Sequence, residues 1–396
     1  MKRKFNRNLA ILMVFLICTT LILGNALVAS AATTRYVSTT GNDSTGDGTI
    51  SHPYKTVQKA VNMSNPGDTI YVRGGTYNLT SVTSISGKIG NSSSWLTISS
   101  YPGETAYLDG NGSTSNTNCF KIINSQYVKL QNLNIQHFKG AGVWIDGKNY
   151  TTSNITLSNL DISNLDPVYS SDGPTMGILG EGPYSSNVTI DSCKIHHIGM
   201  LYKRQTDQGI YLNNGVTYWT ITNNIINNVA DNGIQIQHGT SSKGASNTII
   251  QSNFLCGAQN HGGILIGDNS VSNSVYYNYF YDNHEYDLAM WNHYYHTTNN
   301  GHVVRGNYFV SNPANTGHSP SHLEFWDMNI GQSYFYTNTY YLTSVYTSYQ
   351  AGSCDYPETY LTFSQWKAKG QDTSGSQVAD RTSMVNYIQS VIQNYQ

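Results

Sequence analysis

The chain is 396 residues long, with 31 tyrosines, 36 glycines and only 11% charged residues, against about 25% in ordinary globular chains. Without the four basic residues of the leader described below, seventeen Lys and Arg face 23 Asp and Glu, a formal charge of about −6. That balance excludes the basic surface a nucleic-acid partner requires, whereas a skin of amides, hydroxyls and rings suits carbohydrate.

Lys2, Arg3, Lys4 and Arg7 precede an apolar run from Leu9 to Val28, and Ala29-Ser30-Ala31 follows as a small-residue cleavage box. This is the pattern of a secretory signal over residues 1–31. Later stretches are too short or too polar to span a bilayer. The mature protein, residues 32–396, is therefore expected to be exported, free of the membrane and extracellular.

An N-terminal cap is expected over about 36–67. Tyr36-Val-Ser leads into a turn-rich Gly41-Asn-Asp-Ser-Thr-Gly-Asp-Gly. Val57, Ala60 and Val61 then recur at helical spacing. A short amphipathic helix there would cover apolar interior and strand edges that an open solenoid exposes.

The middle of the chain repeats a Gly-Ile-x-Ile cassette. It reads Gly142-Val-Trp-Ile, Gly177-Ile-Leu-Gly, Gly209-Ile-Tyr-Leu, Gly233-Ile-Gln-Ile and Gly263-Ile-Leu-Ile, with degraded copies at Leu288-Ala-Met-Trp and Leu323-Glu-Phe-Trp. The steps of 35, 32, 24 and 30 residues are too irregular for helical hairpins. A second marker runs in phase with the first: Asn132, Asn159, Cys193, Asn224, Asn253, Asn278, Asn307 and Asn338. Two markers in fixed order mean a single-stranded coil wound one way, an all-β parallel β-helix of about ten coils over about 68–349. Like side chains then stack about 4.8 Å apart. Buried asparagines would bond the turns above and below, and the cassette glycine would allow a tight entry turn.

Beyond 349, Phe363-Ser-Gln-Trp-Lys-Ala-Lys-Gly-Gln-Asp reads as a helical turn closing a loop. Met384, Val385, Ile388, Val391 and Ile392 form the apolar stripe of a last helix. Its expected role, within a C-terminal cap at about 350–396, is to plug the far end. With both ends capped, a monomer is expected. Cys18 leaves with the leader, and Cys119, Cys193, Cys256 and Cys354 remain, formally enough for two bridges. Cys193 and Cys256 are badly placed to pair with each other.

The run Tyr36-Val-Ser…Gly-Asn-Asp…His-Pro-Tyr-Lys-Thr-Val-Gln-Lys-Ala-Val…Pro-Gly-Asp-Thr-Ile-Tyr-Val-Arg-Gly-Gly-Thr-Tyr77 resembles the opening of exported bacterial right-handed β-helix proteins. These include the family-9 pectate lyases, with chondroitinase B and alginate lyases more distantly similar. The segment ending at Asp372 is similar to their closing stretch. The resemblance covers nearly the whole mature chain. It implies a right-handed coil and a polysaccharide substrate. It carries over no catalytic residue, because this opening also precedes β-helices of other roles.

Strand parity supplies a site of its own. If the first and third positions after the glycine point inward, those two before, two after and four after point outward. One exposed strip would then carry Asp207, Asp231, His261, Tyr211, Gln235 and Glu181, with Lys203 and Arg204 in the loop just upstream. Stacked Asp207 and Asp231 read either as turn-closers or, with Glu181, as an oxygen-rich calcium site. Eliminative cleavage of a uronate polymer such as pectate or alginate needs a base, a neutraliser of the developing enolate and an acid. Lys203 is the candidate base, Arg204 or calcium the neutraliser, and Tyr211 the acid. Gln235, His261 and Trp291 are candidate sugar contacts. Alternatives stay open: a glycoside hydrolase using Asp207 and Asp231, or a non-catalytic glycan-binding rod.

Overall fold

The structure, a computed structural model, describes residues 31–111, 117–167, 169, 173–236, 244–292, 298–310, 322–328, 330–341, 346–351 and 359–394. The leader to Ser30, Gln237 and Cys354 lie outside these residues.

Successive short strands go to three different sheets in strict rotation, and each pairs in parallel with the strand one coil below. Thr69–Val72, Gly75–Asn78 and Thr83–Ser86 make the first coil, one strand in each of the first, second and third sheets, and each sheet holds eleven strands. About ten coils result, wound as a right-handed parallel β-helix. Three strands fall outside the rotation. Thr34–Val37 starts the first sheet, Thr359–Thr362 joins the third antiparallel, and Ser376–Val378 ends the second. Ile, Val, Leu and Phe from every coil merge in one continuous core.

The cassettes are strands of the third sheet. Ile210 and Leu212 are fully buried, Tyr211 faces outward, and Ile210 pairs in register with Ile178 and Ile234. The glycines act through closeness rather than through an unusual turn. None of Gly142, Gly177, Gly209, Gly233 and Gly263 is among the positive-φ glycines. A Cβ on Gly177 would stand 2.6 Å from the carbonyl of Gly209, and one on Gly209 would stand 2.5 Å from that of Gly233. In the degraded copies the glycine position holds Asp287 and then His322, which form a buried pair at 2.5 Å. Gly180 interrupts the cassette because the wholly buried Trp219 fills its space.

The asparagine column needs one correction. In the turn between the first and second sheets, Asn132 and Asn159 adopt left-handed backbone, in line with Ser192 and Asn223. The inward stack is one residue later and reads Leu133, Leu160, Cys193, Asn224, Asn253, Asn278, Asn307, Asn338. From Asn224 onward it is a ladder. Oδ1 of Asn253 accepts from both the backbone N and Nδ2 of Asn224 at 2.9 Å, and Nδ2 of Asn253 donates to Ile221 O. Each rung repeats this pattern, so buried amide groups find partners that a lone side chain could not provide. Asp372 closes the ladder by accepting from Asn338 N and Nδ2 and from the Tyr340 hydroxyl.

The N-terminal helix, Val57–Met63, caps the core as expected, burying Val57, Ala60 and Val61. At the other end the plug is the short helix Phe363–Ala368, whose buried Trp366 packs on Phe325 and Phe335. The last helix, Thr382–Gln393, is not a plug. Its stripe lies outside the second sheet, where Met384, Val385, Ile388 and Ile392 cover Phe254, Tyr279, Tyr281 and Tyr341. Those aromatic side chains point out of the barrel, and the helix is their apolar cover. Cys119, Cys193 and Cys256 are buried free thiols, so no bridge forms among the described cysteines. Burial pushes the Cys193 thiol up to about 12.

Candidate functional site

The third sheet carries the chemistry. Asp207 and Asp231 do stack in adjacent coils, with the Asp231 amide donating to the Asp207 carbonyl at 3.0 Å. They are not on an exposed strip: Asp207 is 0% exposed and Asp231 1%. Both sit where the chain enters the sheet, a corner that the upstream loop folds over. Arg204 clamps Asp207 with Nε at 2.9 Å and Nη2 at 2.6 Å, and the Thr175 amide donates to the same carboxylate. Asp231 accepts from His261 Nδ1 at 2.5 Å and from Gln208 Nε2 at 2.9 Å. Each carboxylate thus has its own cation or amide, and neither stands free as an acid or nucleophile. Arg204, bound to Asp207 and to Gly173 O, is not available as the neutraliser of a substrate charge.

Lys203 adopts left-handed backbone and extends its amine to Gln259 Oε1 at 3.2 Å, in the loop just before His261. Tyr211 faces outward beside Glu181. Burial, and secondarily that carboxylate, pushes its phenol up to about 12, so it keeps its proton at neutral pH. Glu181 is tied to Lys148 Nζ at 3.1 Å and Asn214 Nδ2 at 3.3 Å. It lies six residues further along the strand direction than the Asp207 column, about 20 Å away. The set Glu181, Asp207 and Asp231 therefore does not gather around one ion. Among the described residues no group of three or more His, Cys, Asp or Glu forms a metal-holding cluster. The residues present do not fit the calcium site expected of them.

Lower on the same sheet, Trp144 lies between two amines, Lys121 at 3.8 Å and Lys148 at 4.7 Å from its ring centroid. Lys121 also pairs with Asp146 at 2.9 Å. Basic groups and an indole thus mark the face in the coils before Tyr211.

In the upper coils the structure gathers residues that parity missed. Glu285 follows His261 in the column two before the cassette, because its amide donates to His261 O at 2.9 Å. Glu324 occupies the column two after, in register with Ala289. Trp291, in register with Trp326, leans back to 5.7 Å from the His261 ring and 5.4 Å from Tyr286. Gln235 is nearly buried and accepts from Gln208 and Asn232. Burial first and then the Glu285 charge push the Glu324 carboxyl up to about 7, against smaller opposite effects of Trp291 and His261. Burial opposes the charge on His261, yet Asp231, Glu285 and Glu324 together hold its imidazole above the ordinary value. The outward columns, continued past Leu265 in correct register, would have reached Glu285 and Glu324. The missing glycines at 287 and 322 hid that register.

Residues 35–197 match the family model described as "Pel9A-like, right handed beta helix region". Residues 183–342 match that of "Periplasmic copper-binding protein (NosD)". Over 75 residues the chain is 43% identical to pectate lyase PEL9 of Emericella nidulans, a stretch covering 19% of this chain and 18% of that relative. Among solved structures, an alginate lyase from Paenibacillus sp. FPU-7 superposes with a TM-score of 0.58 at 16% identity, covering 81% of this chain and 98% of that one. Pectate lyase Pel9A gives 0.53 at 14% identity, covering 83% and 79%. A lacto-N-biosidase from Eubacterium ramulus gives 0.52 at 15%, covering 88% and 67%.

The chain is a right-handed parallel β-helix whose residues 35–197 are similar to the Pel9A-like region. The match to the Pel9A-like model lies in residues 35–197, and at these identities the structural likenesses speak for fold alone. Copper belongs to the description of the second family. The described part of this β-helix offers no His, Cys and carboxylate cluster to hold it. The upper coils, with Glu285 and Glu324, lie beyond the stretch that matches the pectate lyase-like region.

Proposed function

We propose that the protein is an exported, extracellular polysaccharide lyase that cleaves an acidic, uronate-containing glycan by β-elimination along the outer face of the third sheet. The observation that carries this reading is the match of residues 35–197 to the Pel9A-like region, beside a 75-residue stretch 43% identical to a pectate lyase. The face supports it with Lys121, Lys148 and Lys203, three amines in a chain of low overall charge. Lys203 is the base: it is exposed, and its amine meets a neutral amide rather than a carboxylate. Tyr211, which keeps its proton at neutral pH, can serve the leaving oxygen. Lys121 and Lys148 beside Trp144 take the place of Arg204 as cations facing the substrate carboxylate: each pairs with a carboxylate, Asp146 and Glu181, but their side chains are 25% and 41% exposed against 14% for Arg204. No step is assigned to calcium.

The test is to incubate the mature protein with pectate, alginate and other uronate polymers, with and without calcium, and to follow absorbance near 235 nm. An unsaturated product that falls at least about 100-fold in Lys203→Ala, the scale of a lost general base, supports the assignment. No absorbance change on any uronate polymer disposes of it.

A further inference from the structure

The upper coils of the third sheet hold a group of titratable and aromatic side chains that the lyase reading does not use. Six coil steps separate Trp144 from Glu324 in the same outward column, about 29 Å at 4.8 Å per step. The lysine-flanked indole and this group are therefore different places on one face. We propose that Glu324 and Glu285, with His261 beside them, form a second acid–base centre that hydrolyses a glycosidic bond of an uncharged glycan.

The geometry is a built one. His261 is fixed by its Nδ1 bond to Asp231, which directs Nε2 toward Glu285 at 3.8 Å. The His261 ring is parallel to that of Tyr286, 15° between planes, and edge-on to Trp291. Leu265, Tyr286 and Ala289, with Trp291 packed on them, make an apolar cluster outside the main core. Ala289 is the small residue of the outward column beside Glu324, where larger side chains stand in lower coils. Rings beside carboxyl groups are what a pyranose needs, since its C–H faces stack and its hydroxyls bond.

Charge selects the substrate class. Around His261 stand Asp231, Glu285 and Glu324, and even with Glu324 protonated the one imidazolium offsets only one of the other two carboxylates. A uronate would be repelled here, and a neutral sugar would not. In the step, water oxygen bonds to the anomeric carbon while Glu285 takes its proton. Glu324 gives its proton to the glycosidic oxygen as the C–O bond breaks. Two hydroxyl ends result. The proton on Glu285 returns to Glu324 through His261, which restores both groups.

The experiment incubates the full mature protein with xylan, galactan, arabinan and β-glucan, and scores new reducing ends together with absorbance at 235 nm. Expected are reducing ends without absorbance, and a rate at least 100-fold lower in Glu324→Gln and Glu285→Gln. Glutamine mimics the protonated acid in shape, so Glu324→Gln should keep the wild-type melting transition. If it does not, Glu324→Asp, which withdraws the acid by one methylene, should lose at least tenfold. Absence of reducing ends from every neutral polymer overturns the proposal, as do rates within threefold of wild type in both glutamine variants. Unsaturated products from uronate polymers that survive Glu324→Gln while the reducing ends are lost support two separate centres, and loss of both products together in Glu324→Gln would overturn the proposal.

Discussion

Asn253 sits in the middle of the asparagine ladder, and truncating it isolates what the ladder contributes. In Asn253→Ala the backbone N of Asn224 loses its acceptor, and Asn224 Nδ2 loses one of its two, keeping Ile190 O. Ile221 O loses its donor, and Asn278 Oδ1 loses one of its two. All of these groups are buried. An unsatisfied buried polar group costs about 1–3 kcal/mol. Two abandoned groups and two that keep one of their two bonds, partly relieved by water entering the space, therefore predict a loss of about 2–5 kcal/mol. The control is Asn132→Ala. Asn132 lies outside the stack, its Nδ2 making one bond of 3.3 Å to Ser99 Oγ. Its cost is that of alanine in left-handed backbone, about 1 kcal/mol. Urea unfolding followed by far-ultraviolet circular dichroism reads both, with hydrogen exchange at the Asn224 amide as a local probe. A loss below about 1 kcal/mol in Asn253→Ala, or equal losses in the two variants, would refute the ladder as a source of stability.

Three further outcomes are expected. Arg204→Ala leaves the fully enclosed Asp207 without its cation and should cost about 3–5 kcal/mol in urea unfolding, whereas Lys203→Ala should cost under about 1 kcal/mol. Trp366→Ala, which empties the plug at the C-terminal end, should lose about 3–5 kcal/mol and bind hydrophobic dye. Glu324 is pushed up from 4.5 to about 7, so between those values the folded state holds more proton than the unfolded chain. Stability from this group is complete below pH 4.5 and falls as pH rises toward 7, by up to about 3 kcal/mol. Glu324→Gln should flatten that part of the wild-type urea midpoint curve between pH 5 and 8. An unchanged slope would mean that Glu324 is not a buried acid.

The repeat was legible because a solenoid writes each coil locally. Gly209-Ile-Tyr-Leu and Gly233-Ile-Gln-Ile announce the strand, its inward pair and its period, and Val57, Ala60 and Val61 announce the cap. Those properties depend on spacing along the chain, which sequence alone displays. What spacing does not display is which side chain closes on which. Asp207 and Asp231 share a column, but Arg204 and His261 take one each, and that was decided by how the loops fold over the corner. The last helix has its apolar stripe in plain view, yet only the tertiary structure shows that stripe against Phe254 and Tyr279 outside the second sheet. Glu285 and Glu324 met His261 through register across coils whose marker glycines had become Asp287 and His322. Periodicity belongs to the sequence of this protein, while neutralisation, burial and proximity of its charged groups came from three dimensions, because Coulomb and desolvation energies depend on distance and enclosure rather than on order along the chain.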